Sequence, residues 1–427
     1  MPTRSRPALL TLVVLGVLVV GGVGLLTVTG ASPNSVVSDD TTALSETNQP
    51  ATETNETEPD RLLSPESPTR DGYKTMGIDV AGVTASDTQR LVGQFERAAY
   101  DETYYSETLL SERRALAQEY GDLVDQRIEH IDNYHRDRFE EHGNEEISTQ
   151  ALLRELHRLS VATQEQQLLV EQVIDSADGD GLSLEGDIDQ LPDNLHGELT
   201  ILPRSVGDEV EAAMVGDREP VMVYTQATTD AVVFSSVVDE TLVREATLRE
   251  ERDTTAANQF DQPDGDEEPI GNAFNRAQEL YDWAGNINRV QGFGTSPTFL
   301  VESNHQYGEL IAYLDGGTTN AFHELQELEP ELYPISANVS DTQDDIILTV
   351  EATEATGPMQ VSVVDNTTGE PVDGTVTVTS TDDQVDFTQT TVGQTERGEL
   401  LTIQPAGSFD VSVTTPDEET ISVSIPG

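Results

Sequence analysis

Apolar residues recur at helical spacing through residues 84–177. Leu91 and Phe95 begin one such series, and two longer series follow, one ending at Gly143 and one starting after Ser148. Intervals of three and four residues predict one apolar stripe on each helix. The short connections favour an antiparallel hairpin or bundle. A dimeric coiled coil is the competing arrangement, because its helices carry similar stripes.

The C-terminal part of the chain changes to short runs with a period of two. Polar and apolar residues alternate along them, and Gly, Pro and Asp occupy the turns between them. This pattern is typical of a β-sandwich. The seven runs are 344–352, 359–365, 374–380, 385–391, 398–403, 408–414 and 420–425.

Residues 179–335 contain both helical spacing and the two-residue alternation of strands. The runs 221–224 and 232–234 are short and rich in β-branched and aromatic residues, whereas 273–283 fits an amphipathic helix. Strands interspersed with a helix predict a small α+β domain here.

The N-terminus is different again. Residues 8–28 are almost wholly apolar and follow Arg4 and Arg6. About 20 apolar residues span the hydrocarbon core of a membrane. The basic residues in front of the run predict that the N-terminus stays in the cytoplasm and that the rest of the chain lies outside. A cleaved secretory signal is the alternative.

Together these patterns predict a multidomain α+β chain. Its parts are an N-terminal transmembrane helix, a helical hairpin or bundle with a coiled coil as the alternative, a small α+β domain and a seven-stranded C-terminal β-sandwich. Residues 32–71 are poor in apolar side chains and predict a disordered acidic tether rich in Ser and Thr. The predicted boundaries are 1–31, 32–71, 72–178, 179–335 and 336–427.

The amino-acid composition limits the classes of protein to which the chain can belong. The 427 residues include 80 Asp and Glu against 22 Lys and Arg, a formal net charge of −58, and Lys74 is the single lysine. This charge excludes ordinary nucleic-acid binding, which depends on basic residues that neutralise phosphates. Dense carboxylates with almost no lysine resemble the proteins of haloarchaea.

One acidic loop has the spacing of a calcium site. In residues 176–187 Asp178, Asp180 and Asp187 occupy the third, fifth and twelfth positions and Gly181 the sixth. An EF-hand loop places oxygen ligands and a glycine at these positions. The first position is a serine, so an ordinary loop at the helix end is the alternative. No other cofactor is predicted.

The sequence has few other motifs that indicate a catalytic, metal-binding or modification site. The chain has no cysteine, and the seven histidines lack metal-ligand spacing and are expected on the surface. No nucleophile motif occurs, so we expect no enzyme activity. Asn55, Asn338 and Asn366 begin Asn-x-Ser/Thr patterns and are candidate glycosylation sites.

The C-terminal part carries a family resemblance. The segments DNTTGEPVDGTVTV (365–378), GEL (398–400) and PAGSFDV (405–411) resemble carboxypeptidase-regulatory or transthyretin-like modules. The resemblance implies a seven-stranded sandwich with no catalytic residues of its own.

Taken whole, the chain resembles haloarchaeal cell-surface proteins of unknown function. We expect a non-enzymatic envelope protein that works by binding or spacing and reaches the membrane through its N-terminal helix. Its other partners would be envelope proteins, and its oligomeric state stays open. The alternatives are a secreted calcium-dependent adhesion or matrix protein and a hydrolase or its accessory subunit.

The composition predicts that folding depends on salt. At about 1 M salt the Debye length is about 3 Å, which screens repulsion between surface carboxylates. In dilute buffer the same charge destabilises the compact state. We expect cooperative structure to be lost below a few tenths molar KCl in a circular-dichroism titration. An unchanged spectrum in dilute buffer would contradict this prediction.

Overall fold

The computed structural model describes residues 62–184, 205–261, 268–293, 296–343, 345–381 and 389–426. These residues contain five α-helices and three antiparallel β-sheets. The helices are α1 (Val80–Ser106), α2 (Leu110–Gly143), α3 (Thr149–Gly179), α4 (Ser205–Val215) and α5 (Pro269–Leu280).

The largest sheet has eight strands in the order β1-β2-β3-β4-β8-β7-β6-β5. Its strands are β1 (Arg70–Met76), β2 (Val221–Ala227), β3 (Ala231–Val238), β4 (Thr241–Leu248), β5 (Arg289–Phe293), β6 (Ser296–His305), β7 (Gly308–Asp315) and β8 (Ala321–Leu328). β3, β4 and β8 are buried at nearly every position. Such strands are covered on both faces, so their polar residues, among them Arg244 and Glu245 of β4 and His323 and Glu324 of β8, are buried as well.

Helices cover one face of this sheet. Phe139 of α2, Leu152 and Leu156 of α3 and Val210 of α4 share one apolar core with strand residues such as Phe234. At a few kcal/mol for each such large side chain, their burial is a main source of stability. The helices therefore stack on the sheet through their apolar stripes.

The stripe of α1 differs from the prediction. Leu91 is 53% exposed and Phe95 is 73% exposed, and α1 buries Gly93 instead. A Cβ atom at Gly93 would lie 2.2 Å from Oε2 of Glu165 in α3. The close approach of α1 and α3 therefore requires a small residue at Gly93. The apolar period of α1 predicted that the face with Leu91 and Phe95 would be buried, and this prediction is wrong.

Arginine–carboxylate pairs link the helices to one another. Arg127 of α2 donates to both carboxylate oxygens of Glu96 in α1, at 2.8 and 2.7 Å. Arg154 of α3 donates twice to Asp79, which caps the start of α1, at 2.8 and 2.6 Å. Both arginines hold α1 from neighbouring helices, so the helices form an intrachain bundle in place of the alternative coiled coil.

The C-terminal strands form two four-stranded sheets, ordered β14-β11-β10-β9 and β13-β12-β15-β16. Val361, Val378 and Phe409 are fully buried between them. The strands are β9 (Ala337–Gln343), β10 (Ile346–Ala352), β11 (Pro358–Asp365), β12 (Thr375–Ser380), β13 (Gln389–Gln394), β14 (Glu399–Ile403), β15 (Phe409–Thr414) and β16 (Thr420–Ile425).

The sandwich therefore has eight strands in the described residues where seven were predicted. The additional strand is β9, whose sequence ANVSDTQ is mostly exposed. An edge strand with few apolar residues has no alternating pattern from which to predict it. The run predicted at 385–391 is observed as β13, a few residues later in the chain.

The predicted fold class needs correction in two further respects. β1 precedes the helices in the sequence and pairs with β2 across them, so the predicted bundle and the predicted α+β domain share one sheet. No helix within the described ranges is long and apolar enough to cross a membrane. The predicted transmembrane helix, 1–31, and most of the predicted tether lie outside the described residues.

Candidate functional site

The loop that predicts calcium binding is only partly described. Asp180 follows α3, and its Oδ2 accepts hydrogen bonds from the Tyr104 hydroxyl at 2.9 Å and from Arg113 at 2.8 Å. These two donors, Arg113 first, lower the pKa of Asp180. Asp178 is exposed, and Asp187 lies outside the described residues.

A calcium ion at this loop would compete with the guanidinium of Arg113 for Asp180. In the described ranges, no three His, Asp or Glu side chains are grouped so that they could hold a metal. The calcium site stays a prediction.

Two of the three candidate glycosylation sites are described, and both are exposed. Asn338 lies on β9 and donates to Oε1 of Glu351 at 2.8 Å. Asn366 lies in the turn after β11, whereas Asn55 lies outside the described residues. Exposure permits a modification, and the glycosylation of these residues stays a prediction.

A buried arginine lies where the large sheet meets the sandwich. Arg244 of β4 is 1% exposed and extends between three parts of the chain. It donates to Thr356 Oγ1 of the sandwich at 2.8 Å, to the Leu63 carbonyl at 2.5 Å and to Ser64 Oγ at 3.0 Å. Its Nη1 lies 3.5 Å from Oε1 of Glu324 on β8.

Glu324 holds the same incoming segment. Its Oε1 accepts from the backbone N–H of Leu63 at 3.1 Å and from Nε2 of Gln326 at 2.8 Å. Burial raises the pKa of Glu324, and the neighbouring Arg244 opposes that rise. Leu63 is thus bound on its N–H by the carboxylate and on its carbonyl by the guanidinium.

Two tyrosines make a second set of contacts between the large sheet and the sandwich. The Tyr73 hydroxyl donates to the Ile403 carbonyl at 2.6 Å. The Tyr224 hydroxyl donates to Asp71 at 3.0 Å and accepts from the backbone N–H of Ala406 at 2.9 Å. Hydrogen bonds between buried groups therefore join the sheet to the sandwich. Breaking one of them would leave a buried donor or acceptor without a partner, which costs free energy. We call this set of contacts, together with Arg244 and Glu324, the junction.

A cavity of about 240 Å³ lies beside α2. Its walls come from α2, the β2–β3 turn, the segment after β4, and β8. The lining residues are Asp132, Arg136, Asp230, Arg249, Glu250, Arg252, Thr254 and Phe322.

Ion pairs order one wall of this cavity. Asp132 accepts from Arg136 at 3.0 Å and from Arg249 at 3.0 and 3.2 Å. Arg249 also donates to Nδ1 of His135 at 3.0 Å. Burial, and then the charge of Arg249, hold the pKa of His135 well below its usual value. His135 is therefore neutral, with its proton assigned to Nε2.

The opposite part of the lining is aromatic and acidic. The guanidinium carbon of Arg252 lies 4.7 Å from the centre of the Phe322 ring, a cation–π arrangement. Burial, followed by the charges of Asp230 and Glu251, raises the pKa of Glu250. The cavity thus presents guanidinium groups and carboxylates to the same small volume.

Sequence reasoning missed both the junction and the cavity. His135, His142, His157 and His323 are buried, so the expectation of surface histidines is wrong for these four. One signal was available: the charged residues Arg244 and Glu245 lie side by side within β4, between apolar residues. A charged residue inside such a strand indicates a buried partner.

The described residues define a multidomain protein with a C-terminal β-sandwich. Residues 337–422 match the archaeal fibronectin-III type-like domain. This confirms the predicted sandwich, but the matching family differs from the carboxypeptidase-regulatory or transthyretin-like modules that the sequence resembled. Residues 223–334 match a family of unknown function (DUF7094).

Residues 3–219 match the domain of unknown function DUF7096, which covers half of the chain. The chain therefore belongs to that family. No curated protein and no solved structure gives a significant match. β1 lies in the DUF7096 segment and β2 in the DUF7094 segment, so the two families meet within a single sheet.

The junction generates a prediction about stability. Arg244→Met leaves the carboxylate of Glu324 buried without its counter-charge, and breaking such a pair costs about 3–5 kcal/mol. We expect a loss of that size in the free energy of unfolding, measured with urea in molar KCl. Adding Glu324→Gln to the same chain restores part of the loss, because the remaining buried group is then neutral.

The control is Arg289→Met, which breaks an exposed pair with Glu302 on β6. Exposed pairs contribute about 0–1 kcal/mol, so this variant stays close to the wild type. Equal losses for Arg244→Met and Arg289→Met would contradict the role given to the junction.

Proposed function

We propose that this protein is a non-enzymatic component of a halophilic archaeal cell envelope and works by spacing and binding. The observation that carries the proposal is the junction at Arg244. One guanidinium bonds the sandwich through Thr356 and the incoming chain through Leu63 and Ser64. A protein that spaces two surfaces needs modules held in a constant relation, and this arrangement supports that requirement.

The place where the chain enters the described body also favours spacing. Leu62 is buried in an apolar cluster with Tyr224 and Leu242 of the sheet and Ile403 of the sandwich. A force applied to the chain before Leu62 would therefore act on the sheet and on the sandwich at the same time. Contacts between domains of one chain usually permit relative motion unless they are large and apolar. Here the apolar cluster and the bonds of Arg244 act at the same place.

The sandwich and the charge fit an external role. The match of residues 337–422 to an archaeal fibronectin-III type-like domain provides a module with a self-contained core. A net charge of −58 keeps a protein soluble in concentrated salt through its hydrated carboxylates. Its partners in this role would be other envelope proteins.

Location is tested with the cysteine-free chain. A single Glu129→Cys substitution on the exposed side of α2 gives one thiol for a membrane-impermeant maleimide. We expect intact cells in molar salt to be labelled as fully as lysed cells. The control is Val361→Cys, whose buried side chain stays unlabelled in both samples. Labelling of Glu129→Cys only after lysis would count against an external location.

Rigidity is tested with a pair of cysteines. Glu129→Cys on α2 and Ser422→Cys on β16 are exposed and carry spin labels. Because the junction holds the sheet to the sandwich, we expect one narrow distance distribution in molar salt. Thr356→Ala removes the acceptor for Arg244 and broadens it, whereas Thr367→Ala in an exposed turn does not. A broad distribution in the otherwise unchanged chain would refute spacing by a rigid body.

A further inference from the structure

The cavity beside α2 collects charged residues from separate parts of the chain. Asp132 and Arg136 lie one turn apart on α2, Asp230 lies between β2 and β3, and Arg252 follows β4. Phe322 of β8 completes the lining. A surface charge pair on one helix needs no such convergence, because its two members are neighbours in sequence. Four elements are required to build this volume, and all of its walls lie in the described ranges.

Arginine is scarce in this protein, which makes its concentration here informative. Arg136, Arg249 and Arg252 all line the cavity, although the chain has only 22 basic residues against 80 acidic ones. Asp132 binds both Arg136 and Arg249. One carboxylate therefore holds two guanidinium groups, and Arg136 also donates to Oδ1 of Asn133 at 3.1 Å.

The remaining carboxylates of the lining lie close to other negative charges. Glu250 lies near Asp230, Glu251 and Glu66, all of the same sign. A cationic group placed among them would relieve this repulsion, just as an anionic group would be attracted by the positive charge of the arginines. Three arginines and three acidic residues make the formal charge of the lining balanced.

We propose that this cavity binds a small amino-acid zwitterion. The ligand's carboxylate bonds the guanidinium groups of Arg136 and Arg252, its ammonium lies beside Asp230 and Glu250, and its carbon atoms contact the ring of Phe322. A guanidinium fork matches a carboxylate with two parallel hydrogen bonds. The inference is independent of the proposed envelope role, because it needs only the lining residues.

The charge balance disfavours a ligand of a single sign. A cavity of about 240 Å³ has room for a small amino acid. A simple anion would be repelled by Asp230 and Glu250, and a simple cation by the three arginines. Only a ligand that carries both signs meets both halves of the lining.

The test is calorimetric titration of the full chain in molar KCl. Glycine and valine are the zwitterionic probes, acetate supplies the carboxylate alone, and methylammonium supplies the ammonium alone. We expect saturable heats with the amino acids, tighter binding of valine through Phe322, and binding of acetate and methylammonium at least about tenfold weaker.

Two substitutions at exposed positions remove one half of the recognition each. Arg136→Gln removes a guanidinium and Asp230→Asn removes a carboxylate, and each weakens valine binding by about tenfold, the equivalent of one charged hydrogen bond. The matched controls are Arg289→Gln on β5 and Asp341→Asn on β9, which change the same charges away from the cavity. Circular dichroism in the same salt verifies that all four variants are folded.

Each other outcome overturns the proposal. Absence of heat with both amino acids means that the ion pairs of the lining are structural. Equal binding of acetate and valine identifies a simple anion site, and equal binding of methylammonium and valine a simple cation site. Amino-acid binding that Arg136→Gln and Asp230→Asn leave unchanged lies elsewhere on the protein.

Discussion

The structure depends on one buried guanidinium. Arg244 bonds to Leu63 of the incoming chain, Thr356 of the sandwich and Glu324 of the neighbouring strand. Moving an arginine out of water costs several kcal/mol, and the cost is recovered only when its donors have good partners. Because those partners come from three parts of the chain, the ion pair is satisfied only when all three are in place. This requirement couples modules that the sequence presents one after another.

The same use of arginine recurs in the helices. Arg127 binds Glu96 with both arms of its fork, and Arg154 binds Asp79 at the start of α1. Lysine would serve poorly here, because its ammonium is a strongly hydrated point charge without the planar fork. The chain keeps a single lysine, Lys74, and Arg127 and Arg154, like Arg244, make contacts between elements. The surface carboxylates and the internal arginines therefore have separate roles, one towards solvent and the other towards packing.

Local patterns predicted the elements that carry a clear period. The strands of the sandwich alternate as expected, and β10 is buried at every second position. The stripes of α2 and α3 are buried as well, at residues such as Val124 and Leu156. Prediction failed where another force decided the outcome. On α1 the close approach of Gly93 to Glu165 turned a different face inward, and the polar edge strand β9 has no apolar period at all. Neither the junction nor the cavity is local in sequence, and the sign of the junction within the sequence is the adjacent pair Arg244 and Glu245 in a buried strand.

The sequence by itself determined the strongly acidic composition, the periods of most helices and strands and the presence of a C-terminal sandwich, since each follows from composition or from spacing within a few residues. Only the tertiary structure decided that β1 pairs with β2 although helices separate the two strands in sequence. This pairing places strands of two predicted domains in one sheet. It also decided which charges meet. Arg244 and Leu63 are separated by 181 residues, and the energy of a buried charge depends on the neighbours that folding brings to it, whatever their distance along the chain.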